Sequence, residues 1–208
     1  MEISWEYLLP GVALGCYPLD RWLPRCLKYC TSDALMDPAA RRRTGWWLWQ
    51  LHLWVDIARV VLATWLVHFS FSTETEPQHW MATAIVGVIL AVGICFQIRT
   101  TQKEDAVVVP ITYLTGVLIA LLPLGAALAV VILAVTVMIA IRSYIGFLLA
   151  GMTLSGVISY LLGGTLESGI IVSFLNVVAL LAGFFVQREF VLPIYVRSKA
   201  IKVPAPAR

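Results

Sequence analysis

The stretch Leu51 to Val61, LHLWVDIARVV, holds His52, Asp56 and Arg59 among apolar residues. At i, i+4 and i+7 the three side chains project from one face of a helix, one above another. Asp56 and Arg59 can neutralise each other, and His52 can hydrogen-bond the carboxylate from the preceding turn. Two kinds of chemistry use such a stripe. A buried ion pair orients its helix against neighbours or against a partner's membrane helix; alternatively, intramembrane acids and histidines make up proton or ion paths. A path needs more than one helix, and the hydroxyls and amide available for pathway or packing are Thr112, Tyr113, Thr115, Ser155, Ser159, Tyr160, Ser173 and Asn176. None of these is an acid.

Other chemistry is poorly represented. The chain has no H-E-x-x-H, no G-x-S-x-G, no phosphate-cradling glycine loop and no metal-binding aspartate pair. Cys26 and Cys30 form a C-x3-C but lack the further ligands a zinc site requires. Together with Cys16 and Cys95 they sit near the basic flanks or within apolar runs, where thiols stay reduced. The expectation is no enzyme, no cofactor and no metal. Nucleic acid is not an expected partner either, because the basic residues are spread over separate loops.

The elements that must position the stripe are membrane spans. Of 208 residues, 60% are hydrophobic and only 13% charged, and the mean hydropathy is +0.87, a balance no water-soluble domain carries. Long apolar runs occupy 46–71, 80–98, 107–141, 144–162 and 169–186, and a helix needs about 20 residues to cross the hydrocarbon. As one helix the 107–141 run would reach about 52 Å, so it must fold back, and Pro123, Leu124 and Gly125 mark the turn. The expected fold is all-α: a polytopic transmembrane bundle of six spans at 46–71, 80–98, 107–122, 124–141, 144–162 and 169–186. Residues 1–45 form a cytoplasmic or interfacial segment and 187–208 a basic tail.

Short loops rich in Lys and Arg stay in the cytoplasm. Arg21, Arg25, Lys28 and Arg41 to Arg43 precede the first span; Arg99 and Lys103 follow the second, Arg142 the fourth, and Arg188, Arg197, Lys199, Lys202 and Arg208 the sixth. With six spans all of these share one side, whereas the opposite loops carry Glu74, Glu76 and Glu167. The C-terminus is therefore expected in the cytoplasm, with the chain in the inner (plasma) membrane. YLLPGVALGCYPL, Tyr7 to Leu19, is short and interrupted by Pro10 and Pro18. It reads as an interfacial or re-entrant segment, or as a short seventh span with Glu2 and Glu6 outside. Trp46, Trp47, Trp49 and Trp80 read as interface anchors.

Small residues recur at helix-packing spacing: Gly87 with Ala91, Gly146 with Ala150, Gly151 with Ser155 and Ser159, and Ala179 with Gly183. In lipid such faces let backbones approach closely, either within one chain or between two.

The segment Pro77 to Arg142 resembles the membrane core of the MgtC/SapB family. It has a glycine-bearing span, in which Gly87 and Gly93 match, then a short polar loop and two closely linked apolar spans. RRRTG, Arg41 to Gly45, is similar to that family's basic loop. The resemblance implies an inner-membrane regulatory protein that acts by binding other membrane proteins. The residues read on their own point the same way, to a non-enzymatic accessory or regulatory subunit that docks a membrane-protein partner, or a second copy, through helix faces. The alternative is a small-solute or proton-coupled ion transporter built on the Asp56, Arg59 and His52 stripe.

Overall fold

Where water is absent, every backbone N–H must find an acceptor inside its own segment, so the apolar runs coil into helices. The computed structural model describes residues 2–17, 27–31, 50–73, 76–99, 106–186 and 189–195. The tryptophans at 46, 47 and 49, the arginines at 41 to 43, Cys26, Glu74, Lys103 and the tail from 196 lie outside the described residues. Seven helices occur among them: α1 (Trp5–Cys16), α2 (Leu51–Phe69), α3 (Glu76–Arg99), α4 (Ile111–Leu121), α5 (Leu124–Ile141), α6 (Tyr144–Leu161) and α7 (Leu166–Val186). Five of them, α2, α3, α5, α6 and α7, are long and apolar enough to cross a membrane.

The stretch expected as a third span behaves differently. Ala106–Val108 is a strand, and the helix begins only at Ile111. Val107, Val108 and Val109 are β-branched, and Pro110 disfavours helix in the residue before it, so the chain enters extended. The resulting α4 has 11 residues, about 16 Å at 1.5 Å each, too short to cross alone. It ends at Leu121 and α5 begins at Leu124, with Pro123 at the turn.

Short strands add two small sheets to a mostly helical chain. β1 (Glu2–Ile3) pairs with β3 (Phe71–Ser72). β5 (Glu189–Tyr195) pairs with β2 (Leu27–Thr31) on one side and β4 (Ala106–Val108) on the other. The 24 residues of α3 separate β3 from β4, about 36 Å of helix, so the two sheets cap opposite ends of the bundle. Glu2 and Ile3 consequently lie at the end away from β5.

Helices α5, α6 and α7 pack in sequence order, α1, α2 and α4 form a second group, and α3 joins them through α7 and α1. At the centre is α4, where Tyr113, Leu114, Gly116, Val117 and Leu118 are all buried. A helix apolar all round belongs inside.

Glycines set the closest approaches. A Cβ on Gly116 would lie 2.7 Å from Val60 Cβ and 2.9 Å from the Ile57 carbonyl oxygen, so α4 and α2 touch backbone to backbone. On α1, a Cβ on Gly11 would lie 2.8 Å from Val67 Cγ2. The α6–α7 contact is equally tight, since a Cβ on Gly169 would lie 2.9 Å from Gly156 Cα. Among the glycines singled out by spacing, Gly146 packs against the Val137 and Met138 backbone of α5, and Gly87 against Ile171 of α7. Ala150 and Ala179 are buried, and Ala91 packs on the core from a half-buried position. Gly183 differs, because its neighbour is the Phe190 ring of β5 and not a helix.

Candidate functional site

Helix α1 runs antiparallel to α2 and stops part-way along it. At one end Ser4 N donates to Ser70 O at 2.8 Å, while the other end, Leu14 to Tyr17, lies beside Arg59. A helix end leaves its last four carbonyls without partners. Tyr17 N satisfies Ala13 O at 3.1 Å, and Arg59 Nη1 donates to the carbonyls of Leu14 and Tyr17. The guanidinium thus caps α1 from a neighbouring helix, at the end where the helix dipole favours a cation.

The same side chain holds Asp56. Arg59 Nε donates to Asp56 Oδ1 at 2.9 Å, and Nη2 lies 2.7 Å from the same oxygen. The other carboxylate oxygen, Oδ2, accepts from the Thr112 hydroxyl at 2.6 Å. Thr112 is in the first turn of α4, so the acid sits at a helix N-terminus, the end that favours an anion. Two short helices therefore meet at one ion pair, each presenting the end whose partial charge is opposite to the residue it touches. The pair is 9% and 15% exposed. His52 lies one turn earlier on α2 in a half-buried position.

Tyr113, the next residue on α4, is buried, and its hydroxyl donates to Leu90 O at 3.2 Å. It occupies the space beside two glycines: a Cβ on Gly93 would lie 2.4 Å from the hydroxyl oxygen, and one on Gly15 3.8 Å. Tyr113 thus fastens α4 to α3 just behind the ion pair. Thr115 is buried on the same helix.

The remaining polar residues lie elsewhere. Ser155 Oγ and Ser173 Oγ are 2.8 Å apart, Ser155 also donates to Gly169 O at 3.4 Å, and Ser159 donates to Thr165 O at 3.3 Å. Asn176 Nδ2 donates to Val172 O at 2.9 Å, and a Cβ on Gly151 would lie 2.6 Å from Asn176 Oδ1. This is an α6–α7 seam, and the hydrogen bonds described for it are made within these two helices and the turn joining them. Tyr160 faces outward. Among the described residues Asn176 Oδ1 has no hydrogen-bond partner, so Asn176→Leu should change stability by less than about 1 kcal/mol. Gly151→Ala, which drives a methyl into that amide, should cost about 1–3 kcal/mol. Thermal unfolding of the two variants in detergent compares them directly.

Chemically, the Asp56 cluster offers a carboxylate with both oxygens engaged and a guanidinium shared between an acid and two carbonyls. Neither is presented as a nucleophile. Among the described residues no three His, Cys, Asp or Glu side chains gather as a metal cage. The chain matches no family model, no curated protein and no solved structure.

Proposed function

We propose that the protein is a multi-pass protein of the inner (plasma) membrane, without enzymatic activity, that serves as an accessory or regulatory subunit docking other membrane proteins through helix faces. The observation that carries this reading is that the intramembrane charges are consumed within the chain. Asp56 is held by Arg59 and Thr112, and Arg59 by Asp56, Leu14 and Tyr17. A stripe spent in this way clasps helices together and leaves the outer helix faces to make external contacts.

Six crossings after residue 50 follow if α4 and its preceding strand together make the third, and the passage of the chain from β1 at one end to β2 at the other adds the short seventh before them. The C-terminus is then cytoplasmic. Pairing of β2, β4 and β5 in one sheet supports that side, because these strands adjoin Arg25, Lys28, Lys103, Arg188 and Arg197. In this arrangement α1 enters from the opposite side and reaches the depth of Arg59.

The docking face is the outward side of α2. Trp54, Ala58, Val61, Leu62 and Trp65 line a groove of about 340 Å³ with Ile119 of α4, and Trp65 Nε1 donates to Ala120 O at 3.2 Å, fixing one wall. Its occupant is a partner's transmembrane helix, which the small Ala58 admits closely. Purification from the native membrane in mild detergent should yield a companion polypeptide in fixed ratio. Ala58→Trp should lose that companion while the protein remains monodisperse; a single species with no companion, or a companion retained by Ala58→Trp, overturns the docking reading.

One observation favours transport instead. Two short helices that end at a charged pair inside the bundle are how many secondary transporters build a substrate site. Asp56 would then be the coupling carboxylate. The variant Asp56→Leu/Arg59→Met should still fold and keep its companion in a docking protein, whereas in a transporter it abolishes flux.

A further inference from the structure

At the end of the bundle capped by β1 and β3, a cleft of about 200 Å³ opens between the last turn of α2 and the start of α3. His68 of α2 and His79 of α3 both line it, with the hydroxyl residues Thr73 and Thr83 and an apolar side formed by Phe69 and Phe71. His79 Nε2 lies 3.2 Å from Glu167 Oε2, in the first turn of α7. A neutral imidazole donating from Nε2 carries its lone pair on Nδ1, the atom from which it can ligate. A carboxylate on the far ring nitrogen is what metal-bound histidines usually have, since it fixes the tautomer and raises ligand basicity.

We propose that this cleft binds one divalent transition-metal ion of the zinc or copper class. His68 and His79 are its protein ligands, Glu167 positions His79, and water completes the coordination. Imidazole nitrogens select these ions over magnesium or calcium. The Glu167 carboxylate behind His79 favours a cation over a phosphate. Water fills the positions that the two imidazoles leave open, and Thr73 and Thr83 of the same lining can hydrogen-bond it. The site is independent of the Asp56 cluster: His68 lies nine residues beyond Arg59 on α2, about 13 Å along the axis.

The test is titration of the untagged full chain in detergent with Zn²⁺, followed by calorimetry, and with Cu²⁺, followed by electron paramagnetic resonance. One ion per chain with nitrogen hyperfine structure is expected. His68→Asn and His79→Asn, which keep size and polarity, should each abolish that signature, and Glu167→Leu should weaken binding by about 10–100-fold. His52→Ala, at the other end of α2, should bind as the native chain does. All four variants should elute and melt as folded protein. No stoichiometric binding by the native chain, undiminished binding in His68→Asn together with His79→Asn, or native affinity in Glu167→Leu each overturns the proposal.

Discussion

Arg59→Met is expected to destabilise the folded chain by about 3–5 kcal/mol, the range found when one member of a buried ion pair is removed. Two losses combine. Asp56 is left as a carboxylate away from bulk water with only the Thr112 hydroxyl as partner, and the Leu14 and Tyr17 carbonyls lose their donor at the end of α1. Asp56→Leu should cost a comparable amount, because the guanidinium then has carbonyls but no counter-charge. Asp56→Leu/Arg59→Met should recover much of the loss, since no lone charge remains. What persists is the uncapped end of α1, about 1–3 kcal/mol for the part-buried Leu14 carbonyl that loses its donor. Unfolding titrations in mixed micelles give all three values on one scale.

The second large effect is expected at Gly116. A side chain there meets Val60 Cβ at 2.7 Å and the Ile57 carbonyl oxygen at 2.9 Å. Backbone oxygen cannot swing aside, so Gly116→Leu must push α2 and α4 apart and draw the Thr112 hydroxyl off Asp56. The expected cost is about 3 kcal/mol, the upper end of the overpacking range. Gly125→Leu is the matched control, because nothing lies within 4 Å of a Cβ at that position. It should fall within about 0.5 kcal/mol of the native chain.

Much of this was legible in the sequence where the signal is local. Runs of apolar residues mark the long helices, and Pro123 marks the turn between α4 and α5, because both follow from the solvent and from backbone sterics. The stripe was legible because 3.6-residue periodicity places Asp56 and Arg59 on one face. Its partners were harder to see. Thr112 is 56 residues from Asp56, and it was visible only as one of several hydroxyls. Leu14 and Tyr17 contribute carbonyl oxygens, a chemistry that every residue possesses and no residue type announces.

Two readings fell short for reasons that can be named. The extended start of the third apolar run was signalled by Val107, Val108 and Val109 before Pro110, but a short apolar run has the same hydrophobicity as a strand or as a helix. Gly183 looked like a helix-packing glycine because Ala179 precedes it by four, yet the neighbour that fills its space, Phe190, comes from the strand that follows α7. Conversely, Gly11 and Gly15 on α1, and Thr112, Gly116 and Ala120 on α4, have the same small-residue spacing. The short helices they belong to did not read as full spans.

The claim on which the account rests is that each charge of the pair matches the helix end it touches: Arg59 the C-terminus of α1, Asp56 the N-terminus of α4. Exchanging the charges tests it most directly. Asp56→Arg/Arg59→Asp retains an acid and a base three residues apart but sets each against the wrong dipole end. The account predicts that this exchanged chain is less stable to unfolding than the uncharged Asp56→Leu/Arg59→Met. An exchanged chain as stable as the native protein would show that the helix ends are indifferent to the charges between them.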